Sequence, residues 1–314
     1  MTSSLFPAIR AAENGLEFAP AGWIFTVDGT VYPGAPAPPV PAFDNGVGGW
    51  AGFASGMVAG LANAQDGLWA SACIGYPASV IPMGPSVTAG VVSLATSVEY
   101  ATQLYYSQHG TFEGLALIFS GYSQGAMVVA SYWTNYILNP LGAHSHLAPY
   151  VYRLYQYGDP YRTPGIAHGN ALAGLSESIT TDGVETGGIG GKLDLPPAIS
   201  NILAPDGRYV YNSCANKGDI YTACPTGLDP WNNIAGAGKA GNLIFTEVQN
   251  LSLVNTLKIA TALGSPIGVI EELINGMVFM AQGTSAPHWN YWTQMDACIQ
   301  DALELGNSLP HKGC

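Results

Sequence analysis

Apolar positions along this chain fall into two kinds of segment. Residues 23–27, 69–76, 115–119 and 150–157 are short, nearly continuous apolar runs, the pattern of strands buried on both faces. Between them lie longer stretches with apolar residues at helical spacing, at 47–64, 86–107 and 124–137. Ser86 is read as a cap, while Gly110 and Pro140 act as stops. Strand and helix alternate, which predicts a parallel sheet with helices on both faces. A further strand is expected at 206–212 and a closing helix at 293–305. The Pro-rich run 33–41 forces an extended loop, and the Gly-rich run 181–191 reads as a mobile loop. From 243 to 282 the pattern is helical without strands, as in an insertion.

One junction carries chemistry. The run Leu115-Ala-Leu-Ile-Phe-Ser-Gly-Tyr-Ser123-Gln-Gly125 passes from strand through a tight turn into helix, the form of a nucleophile elbow. With 40 glycines in 314 residues, a Gly-x-Ser-x-Gly match means little alone; its place between strand and helix gives it weight. A serine hydroxyl needs a histidine base oriented by a carboxylate, and on this kind of turn they follow in the order Ser, acid, His. Among six histidines the order leaves His288 and His311, of which His288, before the closing helix, is preferred. Asp219 and Asp159 both follow strands. Asp219, bracketed by Cys214 and Cys224, is preferred, and Asp159 in Gly-Asp-Pro has a ready reading as a turn former. An oxyanion needs two donors. The Gln124 backbone N–H is one, and Thr30 in Asp28-Gly29-Thr30 is the best candidate for the second. Trp289 and Trp292 read as core or rim aromatics.

Composition narrows the partners. A net charge of −12, with only nine Lys plus Arg, leaves no basic face for nucleic acid or anionic lipid. A neutral or apolar substrate fits better. No apolar run reaches the length of a membrane span, and the first residues lack the basic and apolar regions of a secretory signal. The five cysteines form no C-x-x-C pair and have no histidine at ligand spacing, so neither metal nor cofactor is expected.

Taken together, Gly121-Tyr-Ser123-Gln-Gly, Gly75-Tyr-Pro-Ala78, Tyr157-Gly-Asp-Pro-Tyr-Arg162-Thr-Pro-Gly165 and Ala215-Asn-Lys-Gly-Asp219-Ile-Tyr221 resemble the lysin B family of mycobacteriophages, cutinase-like serine esterases. The resemblance runs from about Trp23 to Leu309. It implies an α/β-hydrolase (cutinase-like) domain over 1–242 and 283–314, with 243–282 as a helical linker or lid subdomain inserted before the base. It also implies Ser123 as nucleophile, Asp219 as acid and His288 as base. The implied activity is hydrolysis of the ester joining mycolic acids to arabinogalactan during host lysis. The implied protein is a monomer made in the host cytoplasm that acts at the envelope after release. A cutinase-type carboxylesterase and a non-catalytic lipid- or wall-binding module are the alternatives. Pairing of Cys214 with Cys224, and of Cys298 with Cys314, is expected, with Cys73 free.

Overall fold

The computed structural model describes residues 22–30, 52–65, 67–79, 83–227, 242, 245–246 and 287–310. Most of the expected insertion at 243–282, the run 33–41, His311 and Cys314 lie outside them. Five strands form the central sheet: β1 (Gly22–Val27), β2 (Ala70–Cys73), β3 (Ala116–Tyr122), β4 (Val151–Tyr157) and β7 (Tyr211–Cys214). Their order is β2-β1-β3-β4-β7, all parallel, so β3 is central. Every residue of β1 and β3 is buried, which explains why these strands read as unbroken apolar runs.

Because side chains alternate across a strand, each strand feeds two cores. Trp23, Phe25, Leu117 and Phe119 join one with Val91, Leu94 and Val98 of helix α2 (Met83–His109) and Met127 and Val128 of α3 (Gln124–Tyr132). Ile24, Ile118, Tyr122 and Tyr155 join the other, with α1 (Phe53–Ala64) and the C-terminal helix α6 (Trp292–Ser308). Short helices α4 (His168–Leu172) and α5 (Pro197–Ser200) flank β7. The result is a three-layer α/β fold.

Several boundaries differ from expectation. Helix α2 starts at Met83, with Pro85 suiting its first turn, so Ser86 is inside rather than a cap. Its hydroxyl accepts the Ser79 amide at 3.0 Å and donates to Gln124 Oε1 at 3.2 Å. Helix α3 passes into a π-helical turn, Trp133–Leu138, before Pro140. The expected strand at 206–212 gives way to β7, with Gly207 at φ +79° in the turn before it. The run 181–191 is not a loose loop. Asp182 and Gly183, both at positive φ, join β5 (Thr180–Thr181) to β6 (Val184–Gly187), as a two-residue hairpin turn requires. A side chain on Gly188 would collide with the Pro160 carbonyl. Antiparallel β8 (Cys224–Pro225) completes a second small sheet, β5-β6-β8.

That small sheet also decides the cysteines. Cys214 ends β7 and points into the core shared with α6, beside Cys298, whereas Cys224 lies in the other core on β8. Both are free thiols, as is Cys298, so the expected Cys214–Cys224 disulfide does not form. A disulfide needs Cβ atoms about 4 Å apart, and two side chains on opposite faces of a sheet do not meet.

Buried charge fastens α6 to the sheet. Arg153 on β4 donates to Asp301 at 2.7 Å and to Asp206 at 2.5 Å, and Tyr155 donates to the same Asp301 oxygen at 2.7 Å. Arg208 adds a second ion pair to Asp301.

Candidate active site

Ser123 occupies the turn between β3 and α3 with φ 54° and ψ −118°, a strained conformation for a non-glycine residue. The turn fits because the residues two before and two after the serine have no side chains. A Cβ on Gly121 would sit 2.6 Å from Ala126 Cα, and one on Gly125 would fall on the Val27 carbonyl. These glycines let α3 lie close against β1 and β3, which lifts the serine to the carboxyl edge of the sheet.

The structure brings Ser123, Asp219 and His288 together. His288 Nε2 is 3.0 Å from Ser123 Oγ, and its Nδ1 is 2.8 Å from Asp219 Oδ2. An ionised carboxylate only accepts, so Nδ1 carries the proton and Nε2 presents its lone pair to the serine hydroxyl. All three residues are buried. Asp219 lies in the segment after β7, where its Oδ1 accepts the Tyr221 amide at 3.0 Å. His288 lies in the 3-10 turn Pro287–Trp289, just before α6. Its ring stacks on Tyr122 at 5.3 Å and contacts Tyr221 at 4.9 Å, while the Tyr122 hydroxyl donates to the His288 carbonyl at 2.9 Å. Gly158, at φ +59°, closes the floor beneath the imidazole.

Sequence reasoning missed the clamp around this line. Asn216 Nδ2 donates to the carbonyls of Pro287 at 2.9 Å and Asn290 at 2.8 Å, while its Oδ1 accepts Gln294 Nε2 at 2.8 Å. It thus ties the Asp219 segment to both ends of the His288 turn. The Tyr291 hydroxyl donates to Asp219 Oδ2 at 2.5 Å. A pattern of types cannot reveal contacts between residues about 70 apart; only the proximity of Asn216 to Asp219 in sequence hinted at one.

The rival acid, Asp159, is elsewhere. Its carboxylate accepts the Tyr161 amide at 2.8 Å and the Tyr211 hydroxyl at 2.5 Å. Burial pushes it up to about 6, against the lowering effect of those donors and of Arg162. Fully buried Arg162 donates to the carbonyls of Thr222 and Thr186 at 2.5 Å and of Ile166 at 3.0 Å, and burial lowers it to about 10. It staples the segment after Asp219 to the second sheet, a structural role that the Gly-Asp-Pro-Tyr-Arg motif did not disclose.

Thr30 is buried, and residues 28–30 pass beside the serine: a Cβ on Gly29 would lie 3.0 Å from Ser123 Cβ. Asp28 is held by a Ser55 amide of α1 at 3.4 Å through its side chain and by the Tyr76 hydroxyl at 2.7 Å through its carbonyl. Burial raises its carboxyl to about 6. Gln124 opens α3, where backbone N–H groups lack helical acceptors. Its side chain reaches away, donating to the Ser79 carbonyl at 2.8 Å. Trp289 lies beside the His288 ring, whereas Trp292 is more than half exposed and meets Phe53 edge-on. Among the described residues no cluster of His, Cys, Asp and Glu could hold a metal, and no helix is long and apolar enough to cross a membrane.

Over 147 residues the chain is 32% identical to Endolysin B of Mycobacterium phage L5, and equally to that of Mycobacterium phage D29. Over that stretch the chain is similar to the mycobacteriophage endolysins B. The match takes in 46% of this chain and 48% of each relative, so the chain spans about half the length of the curated relatives it matches. The crystal structure of lysin B from Mycobacteriophage D29 superposes with a TM-score of 0.62 over 90% of this chain and 99% of that one, at 22% identity. The fold is therefore that of lysin B, an α/β-hydrolase-type sheet. No family model matches.

Proposed function

We propose that this chain is a serine esterase with Ser123 as nucleophile, His288 as general base and Asp219 as the orienting carboxylate. The observation that carries the reading is the unbroken line of hydrogen bonds, at 3.0 and 2.8 Å, that ends on a serine in a positive-φ strand-to-helix turn. In the reaction, Ser123 Oγ attacks the ester carbonyl carbon as His288 Nε2 takes the hydroxyl proton. The carbonyl oxygen becomes an oxyanion, met by the Gln124 backbone N–H and by Thr30. Its collapse expels the alcohol, which leaves with the proton from His288. Water then attacks the acyl-enzyme by the same route and releases the acid. Asp219 keeps its proton off throughout, holding the imidazole in the tautomer that can accept from serine.

For the substrate, we propose the ester joining mycolic acids to arabinogalactan, cleaved during phage-mediated lysis. The motif resemblance to lysin B and the similarity to two mycobacteriophage endolysins B support it. The test has two arms. Hydrolysis of a p-nitrophenyl ester by the wild-type chain, abolished in Ser123→Ala, is the expected result. Activity that survives that substitution would overturn the nucleophile, and no hydrolysis by wild type would leave a non-catalytic binding module. Incubation with mycolyl-arabinogalactan is expected to release free mycolate. Good short-ester activity without release would instead point to a cutinase-type carboxylesterase.

A further inference from the structure

Tyr291 directly precedes α6, and its ring is fully buried between Phe53, at 5.7 Å, and Tyr157, at 6.3 Å. Only its far end meets chemistry. The hydroxyl donates to Asp219 Oδ2 at 2.5 Å, and that same oxygen accepts His288 Nδ1 at 2.8 Å. The second oxygen of the carboxylate is occupied by the Tyr221 amide at 3.0 Å. The phenol and the imidazole therefore share one oxygen.

We infer that Tyr291 is a positioning residue that fixes the Asp219 carboxylate and moderates its pull on His288. The inference rests on the triad reading above. A carboxylate oxygen that accepts a neutral hydrogen bond spreads its charge toward that donor and offers less of it to another. Burial and the neighbouring Asp219 both raise the Tyr291 phenol, so it stays a neutral donor. With the phenol in place, Asp219 cannot rotate its oxygen away from Nδ1. Its attraction for a protonated imidazole is also held below what an unshared carboxylate would exert. Around the pair stand the phenols of Tyr122 and Tyr221, the Trp289 indole and the Ser123 hydroxyl. Asp28 lies behind Tyr122, and Cys214 lies near Tyr291.

Tyr291→Phe removes the hydroxyl and keeps the ring that Phe53 and Tyr157 pack against. The expected result on a p-nitrophenyl ester is a kcat about tenfold lower, a barrier higher by about 1.4 kcal/mol, with KM unchanged. The unshared carboxylate now holds the imidazolium more firmly, so the acid limb of the kcat/KM–pH profile is expected to move up by about half a pH unit. A second measurement separates positioning from mere structure. In an Asp219→Asn background the Tyr291→Phe change is expected to cost nothing further, because its only route to the reaction is through that carboxylate. A wild-type kcat and acid limb in Tyr291→Phe, or losses that multiply in the double variant, would overturn the inference. If Ser123→Ala retains activity, the triad reading falls instead, so the two failures are distinct.

Discussion

Gly158 ends β4 at φ +59°, and an added Cβ there would lie 2.9 Å from His288 Cε1, 3.1 Å from its Nδ1 and 3.4 Å from Asp219 Oδ2. Unstrained carbon contacts sit near 3.5–4.0 Å, so Gly158→Ala must push the imidazole away by roughly 0.6–1 Å. The ring has little room to yield, with Tyr122 stacked on it and hydrogen bonds of 2.8 and 3.0 Å at its two nitrogens. A displacement of that size at a reacting group costs about 100-fold in rate. Separately, an alanine held at positive φ costs about 1–2 kcal/mol of stability. Gly110 provides the control. It ends α2 at φ +69° with no atom within 4 Å of its added Cβ, so Gly110→Ala carries the backbone cost alone. Urea unfolding is expected to show similar destabilisation of both variants. Ester hydrolysis is expected to fall about 100-fold only in Gly158→Ala. A folded Gly158→Ala with kcat within about threefold of wild type would refute the reasoning, since the base would then work without its observed geometry.

Three other outcomes follow from the same structure. Burial raises Asp159 from 3.8 to about 6, so between those values the folded chain keeps a proton that the unfolded chain has lost. Stability therefore falls as pH rises from about 4 to about 6, and Asp159→Asn is expected to remove up to about 3 kcal/mol of that fall. Urea unfolding at the two ends of the window checks it, and equal slopes in both proteins would contradict it. Asn216→Ala, which loses its bonds to Pro287, Asn290 and Gln294, is expected to lower kcat about tenfold with the fold intact by circular dichroism; undiminished turnover would remove the clamp from the account. Alkylation of the denatured, unreduced chain is expected to label Cys214, Cys224 and Cys298 as thiols, and a Cys214–Cys224 bridged peptide in the mass map would be the contrary result.

What could be read in advance was local or ordered along the chain. The elbow was legible because its strand, its glycines and its helix are contiguous, and each glycine answers to one collision. The order of acid and base pointed to Asp219 and His288, which the fold brings to hydrogen-bonding distance of each other and of Ser123. Contacts between distant segments were not legible. Asn216 and Tyr291 bear ordinary residue types, and their partners are 71 to 78 residues away. The small sheet was hidden because β5 and β8 are two residues each, too short for a period to show. The cysteine expectation failed for a related reason: spacing measures loop length, whereas the face of the strand decides which side chains meet. Ser86 misled because its type suits a cap, although Pro85 already marked a helix under way.

The distance along the chain between Ser123 and His288, 165 residues, has a consequence for the newly made protein. During translation β1, β2, β3 and the Ser123 turn emerge first, and domains begin to form from the N-terminal side as they emerge. Helix α6 emerges last among the described elements. Until it docks on α1, Asp219 has neither His288 nor Tyr291, and the Ile24 and Ile118 face of the sheet lacks part of its cover. The nascent chain thus has Ser123 without His288 beside it and an apolar surface exposed to solvent. Completion of α6 closes both at once, so the proposed hydrolytic power arrives as a last step of folding rather than growing with chain length.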